Sequence, residues 1–323
     1  ELWDDILLKA FGSPDPRQVD GVGGTTSVTS KTCILSPSEH DDCDIDYFFA
    51  QLSVDEAKVD YAPTCGNMLA GIGPYAIETG MVPAEDGETR VRIYQVNTGG
   101  RVEAVVPTPG GHVEYEGEFA IDGVPGTAAP ILLNFMNVVG ARTGKLFPTG
   151  QKMETIDGID VTIIDAAMPC MILRAADVGK TGYESAAELD ADTAFFERVE
   201  PMRLEAGRRM GLGDVSGQVQ PKIIILAPPR DGSAIASRYF VPDKTHETHA
   251  ITGGIALAYA SVTPGTVAER LAVLPASDNR PTFSIEHPAG KLNLALTLSD
   301  GEDGKALEAA GIVRTARIDR KST

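Results

Sequence analysis

Forty-six acidic against 28 basic side chains give this 323-residue chain a net charge of −18 at pH 7, a field that disfavours nucleic acid and anionic membrane surfaces as partners. No apolar run reaches the roughly 20 residues of a membrane span, and four cysteines make no disulfide framework in a chain of this length. Hydrophobic residues at 42% suffice for real cores, the length suits two domains, and a soluble, cytoplasmic protein is expected.

Residues 1–10 read as a helix with an apolar face rather than a signal peptide, followed by a proline-containing turn over 13–17. A Gly/Ser/Thr loop, 18–31, then runs into a strand over 31–35. Its hydroxyls and glycines supply many small donors without bulk, so Ser27, Thr29 and Ser30, with Lys31 behind them, are candidate ligand contacts. The same composition also serves a plain surface loop, and a lone lysine is commonly solvated. Neither nucleotide-binding glycine pattern fits. Residues 36–46 are acidic but lack the glycine and glutamate of a calcium loop, and read as a solvated face. Residues 46–52 form a strand, and 54–59 turn into another.

The stretch 64–80 carries apolar residues on every side and predicts a short helix buried all round, with Gly80 as its stop. Cys65, Gly66, Asn67 and Met68 fall at its start, where a helix offers unpaired N–H groups to an anion. A thiol placed there has its pKa lowered. Cys65 is therefore either a site thiol or a buried core cysteine. A hairpin over 90–97 and 101–106 follows, then a strand pair over 110–121. A second loop of small residues, 123–131, includes Thr127 and is suited to lining a cleft. A strand over 132–138 and a linker over 145–152 complete the half.

The second half opens with a hairpin-like segment over 153–165, a bend at 166–170 and a strand over 171–174. A helical pattern over 185–210 is interrupted near Pro201, and strands follow at 222–226 and 238–241. Residues 250–262 then echo the first apolar helix, entered through Thr252, Gly253 and Gly254. His246 and His249 lack the spacing and the third ligand of a zinc site, so no metal is expected. Strands over 282–286, 292–298 and 309–318 end the chain. One core helix in each half suggests two similar domains, 1–152 and 153–308. Hairpins outnumber helical crossovers, which argues for mixed, mostly antiparallel sheets in an α+β fold. Two facing helix starts would give an acidic chain two anion sites for a di- or tricarboxylate.

Cys65-Gly66-Asn67 at the head of a buried helix resembles the diaminopimelate-epimerase-like fold. Together with 12–21, 25–31, 44–51, 65–77, 123–131, 287–290 and 314–317, it resembles the PrpF branch of that fold. That branch holds cofactor-independent isomerases of 2-methylaconitate, aconitate and oxalomesaconate. The resemblance implies two pseudo-symmetric domains, each a curled, mostly antiparallel sheet around one buried helix, with the site in the cleft between. It also implies that the strand over 309–318 returns to the first domain. Members usually begin with a strand and a Gly-Gly-Thr-Ser-like loop bordering the site. None precedes Glu1, so part of the pocket is expected to lie outside this sequence.

Epimerases of this fold resemble one another in using two thiols, one at each helix start. Here the second helix begins without one, since no cysteine follows Cys170. The resemblance makes Lys31 the base and Cys65 a second proton carrier or a substrate contact. Ser27, Thr29, Ser30, Gly66, Asn67, Met68, Thr127, Thr252, Gly253 and Gly254 are then the substrate-binding candidates. No cofactor or metal is required. The expected activity moves a C=C bond in an aconitate-like tricarboxylate by allylic proton transfer. Two alternatives stand beside it: a two-base racemase or epimerase of an amino or hydroxy acid, and a carboxylate-binding protein that lacks the reaction. A homodimer is the candidate assembly.

Overall fold

The computed structural model describes residues 2–26, 29–61, 65–121, 124–241, 243–274, 282–301 and 304–318; Ser27, Thr64 and Gly123 lie outside these. The chain divides into two compact units, Glu1–Met136 with Val313–Thr323, and Asn137–Ile312. The division precedes the 152/153 position read from the sequence because the intervening loop is tied to the second unit. Val139 bridges to Ala166, Gly140 N–H donates to the Asp165 carbonyl, and the buried Asp165 carboxylate accepts from the Arg142 and Thr143 N–H groups.

The first unit comprises α1 (Leu2–Phe11), β1 (Lys31–Pro37), β2 (Ile45–Leu52), β3 (Val59–Asp60), α2 (Gly66–Glu78), β4 (Gly87–Gln95), β5 (Arg101–Thr108), β6 (Phe119–Ala120), β7 (Thr127–Ala128) and β8 (Ile131–Met136). Its main sheet runs β1-β2-β4-β5-β8, with β3 beside β2 and only β2–β4 parallel. Alternation on β4 and β5 turns Val91, Ile93, Val102, Ala104 and Val106 into the core. Gly73 lets α2 approach that face closely: a Cβ there would meet a Val106 methyl at 2.7 Å. On the other side of β2, Leu7 and Phe11 of α1 pack on Ala50 and Leu52.

The acidic run is largely exposed, as a solvated face should be, and two of its carboxylates form surface pairs, Asp42 with Arg101 at 2.6 Å and Asp44 with Arg92 at 2.8 Å. Two local readings are corrected. The segment 110–121 is mostly irregular, because Gly110 and Gly111 adopt φ of 65° and 77° and only Phe119–Ala120 pairs, with Thr127–Ala128. Lastly, α2 is not buried all round. Leu69, Ala70, Ile72, Gly73 and Ala76 are buried, but Asn67 and Tyr75 are exposed, Tyr75 by 53%.

The second unit comprises β9 (Glu154–Ile156), β10 (Ile159–Ala166), β11 (Met168–Arg174), α3 (Ala186–Asp190), α4 (Thr193–Arg209), β12 (Lys222–Ala227), β13 (Ile235–Phe240), α5 (Ile251–Val262), β14 (Thr282–His287), β15 (Gly290–Gly301) and β16 (Gly304–Arg314). The chain re-enters the first unit at Val313. Strand order is β16-β15-β14-β13-β12-β11-β10-β9, parallel at β11–β12 and β13–β14. β12, apolar after Lys222, is buried on both faces, as a strand covered on both sides requires. Helix α4 packs Phe195, Val199, Met202 and Ala206 onto the sheet. The break expected near Pro201 falls instead at Asp192, whose carboxylate caps the Phe195 N–H. Core packing on either side carries α4 through the proline. Among the described residues no helix is long and apolar enough to cross a membrane.

Candidate active site

Alternation along β1 puts Lys31, Cys33 and Leu35 on one face, opposite Gln51, Phe49 and Tyr47 of β2. The Tyr47 hydroxyl donates to the Cys65 carbonyl at 3.4 Å, tying the head of α2 to β2. Cys65 is the N-cap of α2, with extended φ and ψ of −129° and 109°, and no side chain caps the helix. Its carbonyl also accepts the Leu69 N–H at 3.2 Å. The N–H groups of Gly66, Asn67 and Met68 find no acceptor among the described residues, leaving an uncapped helix start next to a half-buried thiol.

Cys33 neighbours that thiol. Burial, and then the Cys65 sulfur, push the Cys33 pKa up to about 11, so it stays protonated near neutrality. Burial likewise raises Cys43 and Cys170. Limited alkylation with iodoacetamide at pH 7.5 should therefore modify Cys65 first, read by peptide mass spectrometry; faster labelling of Cys33 would contradict this placement.

Lys31 is held by a knot that the sequence reading passed over. Gln18, 2% exposed at φ 44°, accepts the Thr25 N–H at 2.7 Å and the Ser30 hydroxyl at 3.1 Å, and donates to the Ser13 hydroxyl at 3.2 Å. The Ser30 carbonyl accepts from Gln51 and from the Leu52 N–H, both at 3.0 Å. Ser30 is thus buried and engaged as an anchor for the loop that presents Lys31. Thr29 is exposed and bonded to Thr26. Gly21 is required by contact: a Cβ there would lie 2.1 Å from the Phe11 carbonyl carbon. Lys31 itself is half-buried and has no ion pair among the described residues.

A pocket of about 460 Å³ opens beside α2, walled by Cys33, Leu35, Asn67, Met68, Ile72 and Arg317, among others. Arg317 Nη2 donates to the Thr127 carbonyl at 2.8 Å, bringing that candidate to the rim. Arg314 Nε donates to Asn67 Oδ1 at 3.0 Å. Of the expected residues in this unit, Asn67, Met68 and Thr127 therefore gather around one pocket, with Cys65 and Lys31 each adjacent to its Cys33 wall. Ser27 is outside the described residues.

In the second unit, Thr252 is half-buried in the first turn of α5, whose N-cap Ala250 offers no side-chain cap. Gly253 and Gly254 are buried; a Cβ on either would come within 2.2 Å of the Tyr239 ring or 2.8 Å of Leu292. Their small size serves the close seat of α5 on its sheet. His249 is buried with Nδ1 at 3.0 Å from the Ala250 carbonyl and Nε2 at 3.2 Å from the Ser237 hydroxyl, so neither nitrogen is free for a metal. Among the described residues no group of three or more His, Cys, Asp or Glu side chains could hold one.

Burial lowers the His249 pKa from its ordinary 6.5 to about 4, and lowers His287 as well. Above pH 6.5 the ring is neutral folded or unfolded. As pH falls from 6.5 to 4, the unfolded chain takes the proton first, removing up to ~3 kcal/mol of stability. Urea denaturation should show this acid limb, and His249→Gln should flatten it; an unchanged slope would contradict the assignment.

The α+β arrangement of curled mixed sheets around apolar helices is the diaminopimelate-epimerase-like fold. The family model described as PrpF protein matches residues 1–320. The chain is 45% identical over 317 residues to the 4-oxalomesaconate tautomerase of Pseudomonas putida, spanning 98% of this chain and 86% of the relative. It is 47% identical over 314 residues to the (4E)-oxalomesaconate Delta-isomerase of Novosphingobium sp. strain KA1, spanning 97% and 87%. A crystal structure of methylitaconate-delta-isomerase superposes with a TM-score of 0.85 at 34% identity, covering 97% of this chain and 86% of that one. The chain belongs to the PrpF family.

Proposed function

We propose that this protein is a cofactor-independent isomerase that moves a C=C bond within an aconitate-like tricarboxylate, with an oxalomesaconate as its preferred substrate. The observation that carries the reading is local. Lys31, an amine without an acidic partner among the described residues, and Cys65, a thiol, flank Cys33 beside an uncapped helix start. The two oxalomesaconate enzymes among its relatives support the choice of substrate.

The chemistry needs one proton removed and one returned. Lys31, acting as the base, takes a proton from the allylic carbon next to a carboxylate, and the electron pair left behind delocalises into that carboxylate. The N–H groups of Gly66, Asn67 and Met68 stabilise the charge as it forms, because fixed dipoles need no reorganisation. Cys65 delivers a proton to the far end of the allyl system, and the double bond shifts by one position. The Lys31 ammonium and the Cys65 thiolate then exchange protons with solvent to reset the site.

The racemase alternative needs a second base at the other helix head, where Thr252 stands. Cys33 does not supply it, since it lies in the same unit as Cys65 and remains a protonated thiol near neutrality. Measuring kcat/KM on 4-oxalomesaconate, cis- and trans-aconitate, 2-methylaconitate and methylitaconate tests the assignment. Oxalomesaconate is expected to lead the series. Turnover of an amino acid stereocentre with none of these would overturn it.

A further inference from the structure

The stretch 314–317 holds two guanidinium groups that the proton transfers leave without a task. Arg314 Nε donates to Asn67 Oδ1 and Nη1 to the Val313 carbonyl, each at 3.0 Å. The group is half-buried, and only burial acts on its pKa, pulling it down; among the described residues no carboxylate offsets the cost. Elsewhere in this unit arginines find acids readily: Arg90 pairs with Glu103, Arg92 with Asp44 and Arg101 with Asp42. In a chain with 46 acidic residues, a desolvated guanidinium without one is conspicuous.

Arg317 also lacks an acidic partner among the described residues. Its bond to the Thr127 carbonyl sets the guanidinium against the pocket that Asn67 and Met68 line. With Oδ1 of Asn67 occupied by Arg314, the amide presents its NH2 group. Beside the apolar lining, this wall therefore carries the Arg317 guanidinium and the Asn67 amide as donors, with Arg314 bonded to Asn67 from behind and no acidic side chain among the residues that line the pocket. Such forks match the geometry of carboxylates.

We propose that Arg314, oriented by Asn67 and assisted by Arg317, binds a carboxylate of the substrate remote from the migrating double bond, and so selects polycarboxylates. This rests on the isomerase reading for its substrate. Tricarballylate, a saturated tricarboxylate that cannot isomerise, separates the two. Calorimetric titration should show tricarballylate binding weakened ~10- to 100-fold in Arg314→Gln, with Arg314→Lys in between. With substrate, Arg314→Gln should raise KM by a similar factor and change kcat less than about fivefold.

Wild-type affinity for tricarballylate in a folded Arg314→Gln protein would overturn the proposal. If that variant does not fold, Arg317→Gln carries the test, and unchanged affinity there overturns it equally. Arg314-dependent binding in a protein that isomerises none of the substrates would uphold the carboxylate site while the isomerase reading falls.

Discussion

Lys31→Met is expected to lower kcat by ~10²- to 10⁴-fold, the range a positioned general base contributes. The residue opens β1 and makes no ion pair among the described residues, so removing the amine strands no buried counter-charge. The backbone that presents it is fixed from the other side, by Gln18 and Gln51 acting on Ser30. Thermal stability and substrate KM should therefore change little. Lys31→Arg is the sharper control. It keeps the positive charge but cannot give a neutral base, so it should be as inactive as the methionine variant. Substantial kcat in either variant would remove Lys31 from the reaction.

The second large effect is expected at Cys65. Cys65→Ala should reduce kcat by ~10²-fold or more, because proton return at the far carbon loses its donor. The first half of the reaction does not need the thiol. In D2O the variant should still exchange the allylic proton that Lys31 removes, without moving the double bond. Lys31→Met should do neither. If Cys65→Ala raised KM with kcat intact, the thiol would be a binding group and not a proton carrier.

Much of the architecture was legible because it is written in local periodicity. Alternation over 90–106 and the apolar runs at 66–78 and 251–262 read directly as the hairpin and the two helices. The stretch 110–121 misled because its alternating pattern carried two glycines at positive φ, which turn the chain before a strand can pair. Long-range partnerships escaped for a different reason. Nothing local says that Asp42 and Asp44 will meet Arg101 and Arg92, or that Cys33 will neighbour Cys65, because strand pairing and helix packing create those contacts. Gln18 looked like one polar residue in a polar loop, yet its burial and three hydrogen bonds make it the loop's anchor. Gly253 and Gly254 are substrate-binding candidates at a helix start, and the structure adds a second reason for glycine there: the space that a Cβ would fill belongs to Tyr239 and Leu292. A close helix–sheet seat of this kind has no signature in the sequence.

Proton NMR of 4-oxalomesaconate and the aconitates with the wild-type protein in D2O is the decisive measurement. The double bond should migrate, with one solvent deuterium entering at the newly saturated allylic carbon in each turnover. An unmoved double bond in all of them, with no deuterium incorporated, would contradict the proposed isomerisation.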